Sequence, residues 1–318
     1  MDGATVWDKT PRELMSPMCP EPGVYHGIAF TDYVAWDAIN HSRLDLLRRS
    51  PEHYRHGGGV ISRALEFGQL CHTGILEPTQ LSERYAVLPT FELDAENVSG
   101  RGDAAKPSKS KSTAYYREQK EQFLAEQRER GRLVIDRPTY DDFEAMVKAL
   151  ERNARAVSWL SGTAQMREVS IVWHDRQKGK RCKARIDCVG DGALIDLKTT
   201  QDPEPRRKFP KQIFDYGYHR QGAWYVDGWN TLHADGLHDY GPVTEFRIVA
   251  IGKESPRQCV AAPIDSESIE LGRCENADLM AELMFWQERG EWPGYENPED
   301  WGVPEWARET VLSGGIEA

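Results

Sequence analysis

At 318 residues, with 39% hydrophobic side chains and ten tryptophans, the chain carries enough apolar material for a sizeable core, and one large domain is the expected organisation. A formal net charge of -11 argues against a protein that coats nucleic acid through bulk positive charge. It is compatible with an enzyme that clusters carboxylates around a cation and confines Lys and Arg to local patches, such as Arg43, Arg48, Arg49 and Arg55, or Arg206, Arg207, Lys208 and Lys211.

Residues 1–30 are rich in proline and poor in periodicity, so an irregular arm packed on the body is expected, followed by a domain over 31–297 and a tail over 298–318. In INHSRLDLLRRSPEHYRH, Ser42 is expected to cap a short helix carrying Leu44, Leu46 and Leu47, and Ser50-Pro51 to start a second one. ISRALEFGQLCHTGILEP has the spacing of an apolar helical face ended by Pro78, with His72 inside the helix. The polar, basic stretch near 97–113 reads as a mobile loop. An exposed helix stopped by Gly131 is expected next, and then one more buried helix through TYDDFEAMVKALERNARAVSWLSG.

The period then changes from helical to alternating. REVSIVW, KRCKARIDCV and ALIDLKT read as three antiparallel strands separated by turn-prone HDRQKGK and GDG. A helix around YGYHRQGAWYVDGWNTLH, strands in EFRIVAIG and QCVAAPI, and a long helix through SIELGRCENADLMAELMFWQERG complete the chain. Strands grouped centrally with helices before, between and after them predict an α/β (α+β) fold, a central mixed β-sheet flanked by helices. No apolar run approaches the roughly 18 residues that span a bilayer, and the first residues lack the layout of a signal peptide, so a cytoplasmic location away from membranes is expected. Six scattered cysteines read as reduced thiols.

In ALIDLKTT, alternation puts Ile195 and Leu197 on one strand face and Asp196 with Lys198 on the other. Asp187 lies across a turn short enough to bring it beside Asp196. Two adjacent carboxylates remain ionised most readily when a cation neutralises them, and Mg2+ suits a pair of aspartates completed by water and phosphate oxygen. Lys198 would then orient the attacking water or stabilise charge at phosphorus. Alone, D-x(8)-D-x-K is more often the mark of a solvated surface hairpin. Gln221 and Tyr225, four apart, share a helix face, where aromatic packing on the sheet is the competing reading.

Taken whole, the chain resembles the exonuclease VIII (RecE-type) branch of the PD-(D/E)XK nucleases, which groups with RecB-like nuclease domains and is typical of phage or prophage genes. The resemblance runs from Ile39 to Tyr295 through INHSRLDLLRRSPEHY, ALEFGQLCHTGILEP, REVSIVW, RCKARIDCVGDGALIDLKTT, YHRQGAWYVDG and WPGY. It implies metal ligation by His72, Asp187, Asp196 and the main-chain carbonyl of Leu197, with Lys198 catalytic. It further implies that Glu168 holds a second metal or a water, and that Gln221 and Tyr225 face the active site and the DNA strand. A histidine ligand makes Mn2+ acceptable beside Mg2+.

The resemblance also implies a 5′-to-3′ exonuclease on double-stranded DNA ends, producing 3′ single-stranded tails for recombination. A RecT-like single-strand annealing protein is the implied partner, and a ring-like homo-oligomer the implied assembly. Two rival readings share the fold. An iron-sulfur nuclease of the CRISPR-adaptation kind needs four thiolates, typically with a close group after the core, where only Cys259 and Cys274 stand. A catalytically inactive DNA-binding protein would not need Asp187, Asp196 and Lys198 together.

Overall fold

The computed structural model of the chain describes residues 19–57, 63–91, 114–161 and 166–297, with the pieces 98–99 and 106–107 and isolated positions between 300 and 308. The first elements are β1 (Gly23–Tyr25), α1 (Phe30–Ala35), β2 (Ile39–Asn40), α2 (His41–Leu44), α3 (Pro51–His56), α4 (Arg63–Leu76) and α5 (Leu81–Arg84). Then come β3 (Tyr85–Val87), β4 (Val98–Ser99), β5 (Lys106–Pro107), α6 (Ala114–Glu129), β6 (Leu133–Ile135), α7 (Arg137–Glu151) and α8 (Ala154–Ser161). The second half holds β7 (Met166–His174), β8 (Arg181–Gly190), β9 (Ala193–Thr200), α9 (Lys208–Asp215), α10 (Tyr218–Ala234), β10 (Glu245–Gly252), β11 (Cys259–Pro263) and α11 (Ser266–Arg289).

One seven-stranded mixed sheet organises the molecule, in the order β1-β7-β8-β9-β10-β11 with β2 paired to β8. The meander β7-β8-β9 is antiparallel, as the alternating pattern predicts. Asp191 (φ 51°) and Gly192 (φ 67°) turn β8 into β9, both in the left-handed region that a tight two-residue hairpin demands. β9 and β10 run parallel, so the chain between them must cross over, and α9 with α10 make that crossover.

Both faces of the sheet are covered. On one side α2, α3, α10 and α11 contribute Leu44, Tyr54, Trp224, Trp229, Leu279 and Leu283 to a core with Ile171, Ile186, Leu194 and Phe246. On the other, α4, α7 and α8 supply Leu70, Leu76, Phe143, Met146 and Leu160 against Ile195, Leu197, Val249 and Ile251. Each such side chain contributes roughly 1.5–3 kcal/mol when fully withdrawn from water. Gly222 and Gly228 let α10 lie close to its neighbours: a Cβ at Gly222 would stand 2.7 Å from Phe246 and 2.8 Å from Ile269, and one at Gly228 would stand 2.8 Å from Trp173.

Several local expectations need correction. Ser42 lies inside α2 and caps nothing, whereas Ser50 does cap α3, its Oγ accepting from the His53 N–H at 3.2 Å. The single helix expected through 139–162 is two, because Asn153 ends one and caps the next, its Oδ1 accepting from the Ala156 N–H at 3.0 Å. Part of the expected irregular arm is ordered: β1 extends the sheet by pairing with β7, and Cys19, Tyr33 and Trp36 pack on Val172. Residues 1–18, nearly all of the basic stretch 97–113 and most of the tail 298–318 lie outside the described residues. Within that basic stretch, Val98–Ser99 pairs with Lys106–Pro107.

Candidate active site

The site arises where the sheet splits. β8 pairs with β9 only over Cys188–Gly190 and Ala193–Ile195, while its far end, at Cys182 and Lys183, pairs with β2. Between these ladders, residues 184–187 have no strand partner on that edge among the described residues. Strand alternation also breaks here. Val169 and Ile171 of β7 face one core, but Arg167 reaches the opposite side, donating to the carbonyls of Leu76 (3.0 Å) and Ile75 (3.5 Å). On β8, Ile186 faces the first core and Cys188 the second. The two switches coincide at Glu168 and Asp187, and Glu168 has φ 50°, a conformation that non-glycine residues adopt at a cost of order 1–3 kcal/mol. Their carboxylates are thereby directed into the split.

There α4 brings in His72, whose Nδ1 lies 3.5 Å from Asp187 Oδ2. One ligand atom each from His72, Glu168 and Asp187 lie within 4.8 Å of one another. Asp187 Oδ2 accepts from the Leu197 N–H at 2.8 Å, so a side chain replaces the missing ladder bond. In an extended strand a residue's N–H and C=O point to the same side, so the Leu197 carbonyl is directed toward the split as well. Asp196 lies next to this trio rather than within it. Its Oδ1 accepts from Gln221 Nε2 at 2.8 Å, and its Oδ2 stands 2.7 Å from Lys198 Nζ. Gln221 Oε1 in turn accepts from Lys198 Nζ at 2.9 Å, so the amide clamps the carboxylate and the ammonium together. Tyr225 stands one turn behind on α10, packed edge-on against Phe246.

Electrostatics favour a cation at this point. Burial pushes the Asp187 carboxyl up to about 7, with Asp196 and Glu168 adding repulsion against the relief supplied by His72 and Lys198. For Lys198, burial is the largest single influence and acts to lower its pKa, yet Asp196, Asp187 and Tyr218 together outweigh it, and the ammonium is held above its ordinary range. Asp196 Oδ2 is buried and, although close to the ammonium, lacks an aligned hydrogen bond. An imidazole, two further carboxylates and a carboxylate oxygen without an aligned donor are a donor set that suits a hard or borderline divalent ion.

Three features escaped sequence reasoning. Arg185 donates from Nε to Glu168 Oε2 at 2.6 Å and from Nη1 to the Ile28 carbonyl at 2.7 Å, tying the N-terminal segment to the site. Tyr218 lies under Lys198, its ring centroid 4.6 Å from Nζ. Arg220, fully buried, pairs with Asp45 (2.9 Å) and Glu275 (2.5 Å), fixing α10 against the chain that follows α2 and against α11. Adjacency to Gln221 was the only signal for Arg220; for Arg185 and Tyr218 there was none beyond residue type. Burial pushes up the thiols of Cys71, Cys182, Cys188 and Cys259.

Comparisons with known proteins agree with this architecture. A protein from Eubacterium rectale, described as a candidate exonuclease, aligns with 88% of this chain and 94% of its own at 14% identity and a TM-score of 0.50, a likeness of fold. LHK-Exo, solved in complex with dAMP, covers 56% of this chain and 87% of its own at 20% identity, with a TM-score of 0.21 too low to carry an argument. Among curated proteins none matches. The family profile of a PDDEXK-like domain of unknown function, DUF3799, matches residues 46–299, so the chain belongs to that family and to the PD-(D/E)XK superfamily its fold represents.

Proposed function

We propose that the chain is a Mg2+-dependent deoxyribonuclease that hydrolyses phosphodiester bonds of linear double-stranded DNA, acting as a 5′-to-3′ exonuclease. The observation that carries this reading is the convergence of His72, Glu168, Asp187, Asp196 and Lys198 on the split between β8 and β9. His72, Asp187, Asp196 and the Leu197 carbonyl would hold Mg2+, or Mn2+ in its place, with Glu168 at a second metal or a water. Bound there, such an ion neutralises charge at the scissile phosphate and makes a water more acidic.

The remaining roles belong to the chain itself. Against burial, the charges of Asp196 and Asp187 hold the Lys198 pKa above its ordinary range and so favour the ammonium form. Lys198 is therefore a hydrogen-bond donor and a positive charge, positioned to orient water or to meet a non-bridging phosphate oxygen. Gln221 fixes that ammonium against Asp196.

The resemblance to exonuclease VIII supports the 5′-to-3′ polarity, the 3′ single-stranded tails for recombination and a RecT-like annealing partner. A physical argument supports a ring-like homo-oligomer: a chain of net charge -11 holds DNA weakly by charge alone, and enclosing the strand would keep it attached through many turnovers. The test is digestion in Mg2+ of linear duplex labelled at either 5′ end beside closed circular duplex, with light scattering at the same concentration. The expected result is early release of the 5′ label, intact circles and an oligomer. Rapid nicking of circles would refute the exonuclease reading, and no cleavage of any DNA in Mg2+ or Mn2+ would refute the nuclease itself.

A further inference from the structure

We propose that Phe214 and Tyr216, at the end of α9, form a stacking platform for the bases of an unpaired DNA strand entering the candidate active site. The proposal rests on the nuclease reading and specifies how the substrate is gripped. Both rings are open to water, Tyr216 at 61% and Phe214 at 54% exposure. Single exposed aromatics are ordinary on a protein surface; these two stand two residues apart on one segment, and Tyr216 is joined through Tyr218 to the site.

Neither ring is loose. Phe214 lies flat on His219, with centroids 5.9 Å apart and planes within 9°, and His219 is itself buried between the Ile213 carbonyl and Glu275. Tyr216 rests against Tyr218 at 5.8 Å, and the Tyr218 ring carries Lys198 Nζ at 4.6 Å. Two ring contacts therefore connect the exposed platform to the ammonium at the site. The helix that presents it is anchored by buried Phe209 and by Thr200 Oγ1, which donates to Gln212 Oε1 at 2.7 Å beyond the end of the catalytic strand.

Charge complementarity selects the occupant. Of the four cations at the start of α9 and just before it, Lys208 is paired with Asp202 and Lys211 with Asp215. Arg206 and Arg207 are exposed and have no ion pair among the described residues, while Glu204 accepts from their backbone N–H groups. Two exposed arginines without an ion pair, on the segment that carries two open rings, match a strand with a phosphate and a π-face at every step. Base–aromatic stacking is worth about 1–3 kcal/mol per base and tolerates any sequence. A duplex keeps its bases stacked on each other, so the platform requires a frayed or single strand.

The experiment uses the full chain in EDTA and a fluorescent oligothymidylate of roughly 12 nucleotides, with an abasic oligonucleotide of equal length as the backbone-only probe. The variants are Phe214→Ala/Tyr216→Ala, Tyr216→Ala and Tyr216→Trp, each checked for a wild-type thermal melt. The expected result is a loss of affinity for thymidylate of about tenfold or more in the double variant, near wild-type binding by Tyr216→Trp, and no change for the abasic probe. Should the double variant bind thymidylate as the wild type does, or lose both probes equally, the platform is overturned. Digestion of linear duplex by the wild type in Mg2+, run in parallel, separates the two ideas: cleavage with unaltered thymidylate binding sinks the platform alone. If the wild type cleaves nothing, the nuclease reading falls and the binding comparison still decides the platform.

Discussion

Replacing Gln221 by leucine removes the clamp between Asp196 and Lys198 while keeping the side-chain volume. Two hydrogen bonds disappear, one of 2.8 Å to Asp196 and one of 2.9 Å from Lys198, and both partners are charged. Such bonds are worth roughly 1.5–3 kcal/mol each. Recovery differs at the two ends: the Lys198 side chain, 18% exposed, can regain a water, but Asp196, 3% exposed, cannot readily do so. A loss of about 2–4 kcal/mol is therefore expected, most of it at Asp196. If half of that reappears in the transition state, where Lys198 must keep its place, the turnover rate falls by about 5- to 30-fold. Thermal unfolding and initial rates on saturating linear duplex measure the two parts, and KM should change little, because Gln221 is assigned to positioning and not to holding DNA. A folded Gln221→Leu protein with wild-type melting and wild-type turnover would refute the clamp.

Other perturbations test other parts of the site. Lys198→Ala should slow hydrolysis by orders of magnitude while calorimetry finds metal affinity nearly intact, whereas Asp196→Ala should lose both; equal loss of metal by the two variants would refute a role for Lys198 in the chemical step. His72→Ala should weaken metal binding, with excess Mn2+ restoring part of the activity, and an unaltered Mn2+ titration would remove His72 from the ligand set. Arg220→Met should destabilise the protein by about 3 kcal/mol, the lower end for a broken buried pair, since Asp45 and Glu275 can rehydrate. The acid limb of stability should change with it. Burial raises the Glu275 pKa, but the Arg220 and His219 contacts outweigh this and hold it below the ordinary range, so the pair's contribution is complete above about pH 4.5 and is lost as pH falls through the lower folded value. That part of the pH dependence should shrink in Arg220→Met, leaving what His219 supplies, and a denaturation series from pH 6 to pH 3 with parallel curves for variant and wild type would contradict it.

The parts of this site legible in the sequence are those set by local periodicity. Alternation in ALIDLKTT separates Asp196 and Lys198 from Ile195 and Leu197, and in the folded chain the two apolar residues do enter the α4 core while the polar pair meets Gln221. The Asp191-Gly192 turn, the helix carrying His72 and the shared face of Gln221 and Tyr225 follow from the same short-range rules. Alternation alone misplaces Asp187 and Glu168, because it assumes an unbroken strand, and both strands change face at these residues. That break, and the early parting of β8 from β9, are products of strand register and of helices packed on both faces. Arg185 meets Glu168 only because β7 and β8 pair in one register, and Arg220 finds partners 175 and 55 residues away. Periodicity specifies which way a side chain points from its own element; which charges then face each other depends on how elements distant in sequence are pressed together, and tertiary packing alone decides that.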